Sequence, residues 1–357
     1  MELVGVDVLL LSLGADLPWL TGYTAMPLER LTMLVLPADG DATLVVPRLE
    51  APRVEPQDDL FAVRPWDETE DPVAIVAGLA GSSSGRAGGV AVSDRTWATF
   101  VLGLQAALPG ATWSRASAVT SPLRAVKDPG EVDALQRAAE AADRVAAQLL
   151  AGAIALVGRT EADVSQDLGR RLVAEGHQRV NFAIVGSGPN SASPHHEPGP
   201  RVIGPGEAVV CDFGGTLDGY CSDITRTVYT GGGPPPDEFV AVYEVVQAAQ
   251  SDGVAAAAAG TACEAVDGVA RSRIAAAGYS EHFIHRTGHG IGLEEHEDPY
   301  LVSGNATLLE PGHAFSVEPG VYLPGRFGVR IEDVVVVGAG GPVPLNRADH
   351  ALAVVDA

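Results

Sequence analysis

Residues Ala208–Thr230 read AVVCDFGGTLDGYCSDITRTVYT. Two runs suited to β-strands flank a glycine-rich turn, and each carries an aspartate, Asp212 and Asp223, eleven positions apart. A second stretch, His313–Val337, reads HAFSVEPGVYLPGRFGVRIEDVVVV and repeats the arrangement with Glu318 and Glu332, fourteen apart. Alternate residues of a strand share a face. Asp223 therefore lies with Thr225 and Thr227, and Glu332 with Arg330 and Val334. The neighbours of these acids are those of buried strands, where a carboxylate needs a cation or good donors. Arg226, Arg326 and Arg330 are the nearby arginines. They can offset part of the charge of four carboxylates, and two divalent cations would offset it fully.

Each acid alone has a plain reading: Asp212 as a turn residue, Glu318 as the end of a strand. A third stretch weighs against those readings. Ile284–Tyr300, IHRTGHGIGLEEHEDPY, places His285, His289 and His296 within twelve positions among glycines and acids. An oxygen-rich set with one imidazole suits Mn²⁺ or Co²⁺, since Zn²⁺ usually takes more histidine or cysteine. Two such ions about 3.5–4 Å apart form a hydrolytic centre.

The rest of the composition narrows the setting. At 357 residues the chain exceeds one ordinary core, and 46% hydrophobic with 19% charged residues is globular. A net charge of −23 excludes a basic footprint for nucleic acid or an anionic membrane. Lys127 is the only lysine. Three cysteines without metal spacing, Cys211, Cys221 and Cys263, point to a reducing cytoplasm. The apolar run LVGVDVLLLSL contains Asp7 and lacks a basic flank and a cleavage site, so it reads as a buried strand.

Residues 1–121 read as an α/β domain, with a hairpin around Asp39-Gly40 and a helix within DRTWATFVLGLQAAL. The second domain, 122–357, opens on a helix with Asp128 as N-cap, Pro129 in its first turn and Glu131 closing a capping box. It contains an apparent duplication. A helix over 128–151 and a Thr160-capped helix ending at Gly176 lead into one β-rich stretch. A helix over 236–259 and a Thr261-capped helix ending at Gly278 lead into another. Two such halves imply an α+β domain with a pseudo-twofold and a cleft at its junction.

The motifs CDFGG, SDITRT, RTGHGIGLEEHE, SVEPGVY and VRIEDVV resemble those of the creatinase/prolidase/methionine aminopeptidase family, the pita-bread metallopeptidases. The likeness covers the whole second domain in order and spacing, and the first domain resembles the N-terminal domain of the prolidase and aminopeptidase P branch. It implies that Asp212, Asp223, His289, Glu318 and Glu332 bind two divalent ions, most often Mn²⁺ with Co²⁺ or Zn²⁺ as alternatives, and that Asp223 and Glu332 bridge them. It implies catalytic or substrate-side roles for His195, His285 and His296, a proton-shuttling role for Glu318, and a hydrogen bond from Arg330 that orients Glu332. His196 is expected to face away, and His282, His313 and His350 receive no role. Cys211 and Cys221 are read as packing residues.

His285, His195 and the N-terminal domain favour the Xaa-Pro branch over methionine aminopeptidase. The complete ligand set argues against creatinase and against a non-catalytic peptide-binding protein. The implied substrates are proline-containing dipeptides or short peptides, and the implied assembly is a homodimer or higher homo-oligomer. A dipeptidase needs a cation for the proline carboxylate. Several prolidases carry arginine four residues after the equivalent of His296, where this chain has Tyr300. Arg48 or Arg53 of a neighbouring subunit could serve instead, with Arg48 preferred. Aminopeptidase P activity on longer peptides is the alternative.

Overall fold

The apolar run near the N-terminus forms β1 (Val8–Leu11), and all four of its residues are buried. The computed structural model describes residues 1–84 and 88–355. They divide between two units, the first ending at Leu123 and the second beginning at Arg124. That division lies two residues beyond the expected 121/122.

In the first unit β1 is followed by α1 (Asp16–Thr21), β2 (Met33–Pro37), β3 (Ala42–Pro47), β4 (Phe61–Trp66), α2 (Pro72–Ser84), β5 (Gly89–Val92), α3 (Ala98–Ala107) and β6 (Thr112–Arg115), and the division falls near the end of α4 (Ser117–Ala125). The strands form one six-stranded sheet in the order β4-β3-β2-β1-β5-β6. The β2–β3 pair is the hairpin around Asp39-Gly40, where Gly40 supplies φ +125°. Alternation along β1 sends Leu9 and Leu11 into one core with Leu44 and Val46, and Val8 and Leu10 into another with Met33 and Val45. Both faces of the sheet are thus covered.

The second unit opens on α5 (Pro129–Leu150), capped by reciprocal bonds between Asp128 and Glu131. Then come α6 (Glu161–Ala174), β7 (Arg179–Ser187), β8 (Ala208–Leu217), β9 (Tyr220–Cys221) and β10 (Ile224–Thr230). The second half follows with α7 (Asp237–Ala256), α8 (Cys263–Ala276), β11 (Gly288–Gly290), β12 (Glu297–Leu301), β13 (Ala314–Val317), β14 (Gly320–Leu323), β15 (Phe327–Arg330), β16 (Asp333–Gly338), β17 (Gly341–Pro344) and β18 (Val354–Val355). One sheet runs β18-β10-β8-β7 with β9 beside β8, a second runs β12-β11-β13-β16-β17, and β14 pairs with β15. Val145 and Leu149 of α5 and Val164 and Leu168 of α6 pack on Val185, Val209 and Phe213 of the first sheet. Val266 of α8 packs on Leu301, Phe315, Val317 and Val335 of the second.

The two halves start their second helix in the same way. Thr160 pairs with Val202 ahead of α6, and Ala262 pairs with Leu308 ahead of α8. The first free amides of α6 donate to Arg201 and Gly199 carbonyls, and those of α8 to Thr307 and Asn305 carbonyls. Thr160 adds a capping box with Asp163. The expected Thr261 cap does not form: Ala262 is the N-cap residue and makes no side-chain bond. The backbone of 305–308 already satisfies the donors that a cap would serve.

GHGIG needs its glycines because β11 is squeezed between two neighbours. A Cβ on Gly288 would meet the Ser316 carbonyl oxygen at 1.8 Å, and one on Gly290 would meet the Asp298 carbonyl oxygen at 2.3 Å. The start of β12 is fixed by charge. Lys127 Nζ donates to Glu297 Oε1 at 2.7 Å, while Arg124 reaches Glu297 Oε2 and lies 3.0 Å from Glu294. Lys127, Arg124 and Glu297 are all buried. Burial holds the Lys127 ammonium below its ordinary pKa, against the pull of Glu297. Glu297→Gln would leave the buried Lys127 ammonium without its carboxylate and Arg124 with Glu294 alone of the two acids, and should cost about 3–5 kcal/mol in urea unfolding. Lys127→Met should cost less, because Glu297 keeps Arg124, and adding Lys127→Met to Glu297→Gln should recover part of the loss. A Glu297→Gln variant as stable as the parent would show that the cluster does not hold β12.

Candidate metal centre

Five side chains converge from separate elements of the second unit. Asp212 stands in the middle of β8, and Asp223 precedes β10. His289 is the centre of β11, Glu318 follows β13, and Glu332 lies between β15 and β16. Asp212, Asp223, His289 and Glu332 are buried, and the Glu318 side chain keeps 15% of its surface. One ligand atom each from Asp223, His289 and Glu332 lies within 4.8 Å of the others. His289 Nε2 is 3.2 Å from Glu318 Oε1 and 3.7 Å from Asp223 Oδ2. His289 Nδ1 faces the Gly290 carbonyl at 3.1 Å, which makes it the protonated nitrogen and leaves Nε2 to the acids.

The protein supplies few donors to these acids. Thr225 Oγ1 donates to Glu332 Oε2 at 2.6 Å, Arg330 Nη2 to Asp212 Oδ2 at 2.6 Å, and Ser316 Oγ to Glu318 Oε1 at 3.1 Å. Asp212 Oδ1 and Asp223 Oδ1 are buried without any hydrogen-bond partner. Burial pushes the Asp223 carboxyl well above its usual pKa, and Glu332, Asp212 and Glu318 add repulsion. Glu332 is pushed up in the same way, by burial first and then by Glu318 and Asp212. Asp212 is raised by burial, less so because Arg330 opposes it. Glu318 is the exception. Burial acts to raise it, but the hydrogen bond and charge of His289, then His285 and Arg330, bring it to about 2. Orphaned oxygens, one available imidazole nitrogen and mutually repelling acids fit a site for divalent cations.

The arginines differ from expectation. Arg330 does not bond Glu332. Its guanidinium is taken up by Asp212, by Thr225 Oγ1 at 3.0 Å and by Tyr322 Oη at 2.9 Å, so it reaches Glu332 only through the Thr225 hydroxyl. Arg226 does not neutralise the cluster either. It is fully buried and donates to Asp333 Oδ1 (2.8 Å) and to the carbonyls of Glu332 (2.7 Å), Thr225 (2.9 Å) and Ala348 (2.8 Å). Arg326 pairs with Glu238 at the surface.

His285 Nε2 lies 2.9 Å from Tyr322 Oη and Nδ1 lies 2.7 Å from the Arg286 carbonyl oxygen. Burial keeps its imidazole below the ordinary pKa. The His296 ring lies 3.9 Å from that of His289, tilted by 46°. Burial, then the charge of His289, lowers it to about 4. His195 is exposed. His196 turns to buried Glu161, 2.7 Å away. Tyr300 carries the Arg286 guanidinium over its ring. Arg48 is paired with Asp67 of its own unit, with Nη2 2.9 Å from Oδ2, and Arg53 with Glu50. Cys211 and Cys221 are packed in apolar clusters, and burial drives both thiols up to about 12.

Tyr322 was missed in the sequence. It is buried, links His285 to Arg330, and burial raises its hydroxyl to about 12. Its signal was the pair of glycines that make room for it: a Cβ on Gly320 would meet Tyr322 Oη at 2.5 Å, and one on Gly328 would meet Cδ1 at 2.9 Å.

The profile of metallopeptidase family M24 matches residues 133–339, and that of the creatinase/prolidase N-terminal domain matches residues 1–126. The chain is 44% identical over 355 residues to a probable dipeptidase PepE of Mycobacterium tuberculosis, covering 98% of this chain and 92% of that one. It is 35% identical to a Xaa-Pro dipeptidase of Lactobacillus helveticus, covering 98% and 95%. The crystal structure of dipeptidase PepE from Mycobacterium ulcerans superposes with a TM-score of 0.93 at 45% identity, covering 100% of this chain and 95% of that one.

The raised carboxyls make a sign-specific prediction for metal-free protein. A carboxyl whose folded pKa lies above its unfolded value stabilises the fold below the ordinary carboxylate range and loses that contribution as pH rises through the folded value. The Tm of chelator-treated protein should therefore fall as pH rises above the ordinary carboxylate range, and Asp223→Asn should flatten the fall. Saturating Mn²⁺ should raise the Tm most at the upper end. A pH-independent Tm in stripped protein would mean that the acids do not repel one another.

Proposed function

The chain belongs to metallopeptidase family M24, and we propose on that footing that it is an Xaa-Pro dipeptidase. The observation that carries this reading is the five-residue centre, Asp212, Asp223, His289, Glu318 and Glu332, with His285 and His296 beside it. The Xaa-Pro dipeptidase of L. helveticus, aligned along 98% of the chain, supports the choice of substrate.

The centre would hold two divalent ions, Mn²⁺ in preference to Co²⁺ or Zn²⁺, through Asp212, Asp223, His289, Glu318 and Glu332. Such ions supply Lewis acidity and an ionised water at neutral pH. The chain's own residues do the rest. The Xaa-Pro bond is a tertiary amide without an N–H, so its departing nitrogen must be given a proton. Glu318, ionised at neutral pH, takes a proton from the attacking water and passes it to that nitrogen. The free α-amine of the first residue would sit beside this acidic cluster, which is what restricts the enzyme to N-termini. His285, backed by Tyr322 and Arg330, serves the developing oxyanion. His195 and His296 flank the proline ring. The three buried free cysteines support a reducing cytoplasm. Among the described residues no helix is long and apolar enough to cross a membrane.

A second reading, aminopeptidase P action on longer peptides, draws on the uncharged Tyr300. Ala-Pro and Ala-Pro-Ala, assayed side by side, separate the two: the dipeptide should be the better substrate, and equal cleavage of both would favour the second reading. Chelation should abolish activity, and Mn²⁺ should restore it better than Mg²⁺. Full turnover by metal-free protein would rule out both. His289→Ala should lose metal and activity together. His285→Ala should retain metal on elemental analysis and lose mainly kcat, as removal of a transition-state contact does.

A further inference from the structure

Arg286 has no acid of its own. Its guanidinium pairs with no carboxylate among the described residues and lies over the Tyr300 ring, 4.4 Å from the centroid. In a chain of net charge −23, most arginines of the second unit are tied to carboxylates: Arg159, Arg171, Arg201, Arg226, Arg271 and Arg330 are examples. An arginine left without one beside an acidic centre is a cation kept available for a ligand.

Its backbone is firmly held. Arg271 Nη2 donates to the His285 carbonyl at 2.8 Å, and His285 Nδ1 meets the Arg286 carbonyl at 2.7 Å. Thr287 N and Oγ1 donate to buried Asp267 Oδ1 at 3.1 and 2.8 Å. The strand register then fixes where the side chain ends. Gly288 pairs with Leu301, which faces the core, so His289 and Tyr300 share the opposite face. His296 stands on that side as well, its ring against His289. Glu318 meets His289, His289 meets His296, and Tyr300 on the same face carries Arg286.

We propose that Arg286, seated on Tyr300, binds the C-terminal carboxylate of a dipeptide substrate and makes peptide length the property that the site reads. The inference rests on the dipeptidase reading above and deepens it. With its amine against the acids, a dipeptide extends one residue past the scissile bond, roughly 3.3–3.6 Å. Its carboxylate therefore ends on the His296 side of the centre. A guanidinium takes a carboxylate through two parallel hydrogen bonds, and an aromatic face holds its plane without competing for its donors. Tyr300 carries no charge and serves as the platform. A longer peptide would place a neutral peptide group against Arg286. Arg48, the cation favoured from the sequence, already has a carboxylate in Asp67.

The test compares Ala-Pro with its C-terminal amide. Binding of each to chelator-stripped protein is measured by calorimetry, and kcat and KM are measured with Mn²⁺ restored. The parent should bind the acid at least about 30-fold more tightly, which at 1.4 kcal/mol per tenfold is about 2 kcal/mol. Arg286→Met should bring the acid-to-amide ratio close to one, and in the loaded enzyme the loss should appear in KM. Arg286→Lys should fall between, because an ammonium keeps the charge but not the two-pronged geometry. A parent indifferent to amidation, or an Arg286→Met variant with the parent's ratio, overturns the proposal and leaves the Arg286–Tyr300 pair as a surface stack. Failure of the Xaa-Pro reading is seen separately, as absence of turnover of either compound by the loaded parent whatever the binding ratio.

Discussion

The organising constraint of this molecule is repulsion among four carboxylates placed where water cannot screen them. Asp212, Asp223 and Glu332 are buried, Glu318 is nearly so, and two of their oxygens have no donor. No ordinary core tolerates that arrangement, because an unpaired buried charge costs several kcal/mol. The surrounding structure is organised to hold the acids in position without neutralising them. Thr225, Ser316 and Arg330 each supply one bond to a carboxylate, and Asp212 Oδ1 and Asp223 Oδ1 are left free. The compensation is left to cations, which suits a member of a metallopeptidase family.

The duplicated halves explain how the acids come to one place. Each half contributes a helix pair, a sheet and a strand connection that carries two of the acids. The halves meet through the Thr225–Glu332 bridge, with Arg226 threaded between the two backbones and bonded to both carbonyls. An arginine in that role ties ligand-bearing strands together from behind. It leaves the front of the site acidic, which a guanidinium among the ligands would not. This arrangement is the pita-bread fold of the prolidases, and the close superposition on the M. ulcerans dipeptidase follows from the same layout.

The parts of this layout legible in the sequence were those written in local chemistry. Asp128 with Glu131, Asp39-Gly40, and acids interrupting buried strand runs all carry their meaning within a few residues. What escaped depends on partners distant in sequence. Arg330 resembled a partner for Glu332 because the two share a strand face, yet Asp212 lies closer in space, 118 positions away in the chain. Arg226 resembled a neutraliser of the ligands but serves Asp333, a residue hidden next to Glu332. Thr261 carried a capping signal that the 305–308 backbone made redundant. Tyr322 was concealed because its importance appears only in the two glycines that clear its ring.

The ion cluster beneath β12 has a chemical corollary. The only lysine of the chain, Lys127, is buried and bonded to Glu297. The folded surface consequently offers no ε-amine. Acylating reagents, amine-directed crosslinkers and lysine-modifying enzymes find no side-chain target on the native protein, and all cationic surface chemistry falls to arginine. Reactivity of Lys127 toward such a reagent would therefore report the opening of the segment that carries His296 and Tyr300.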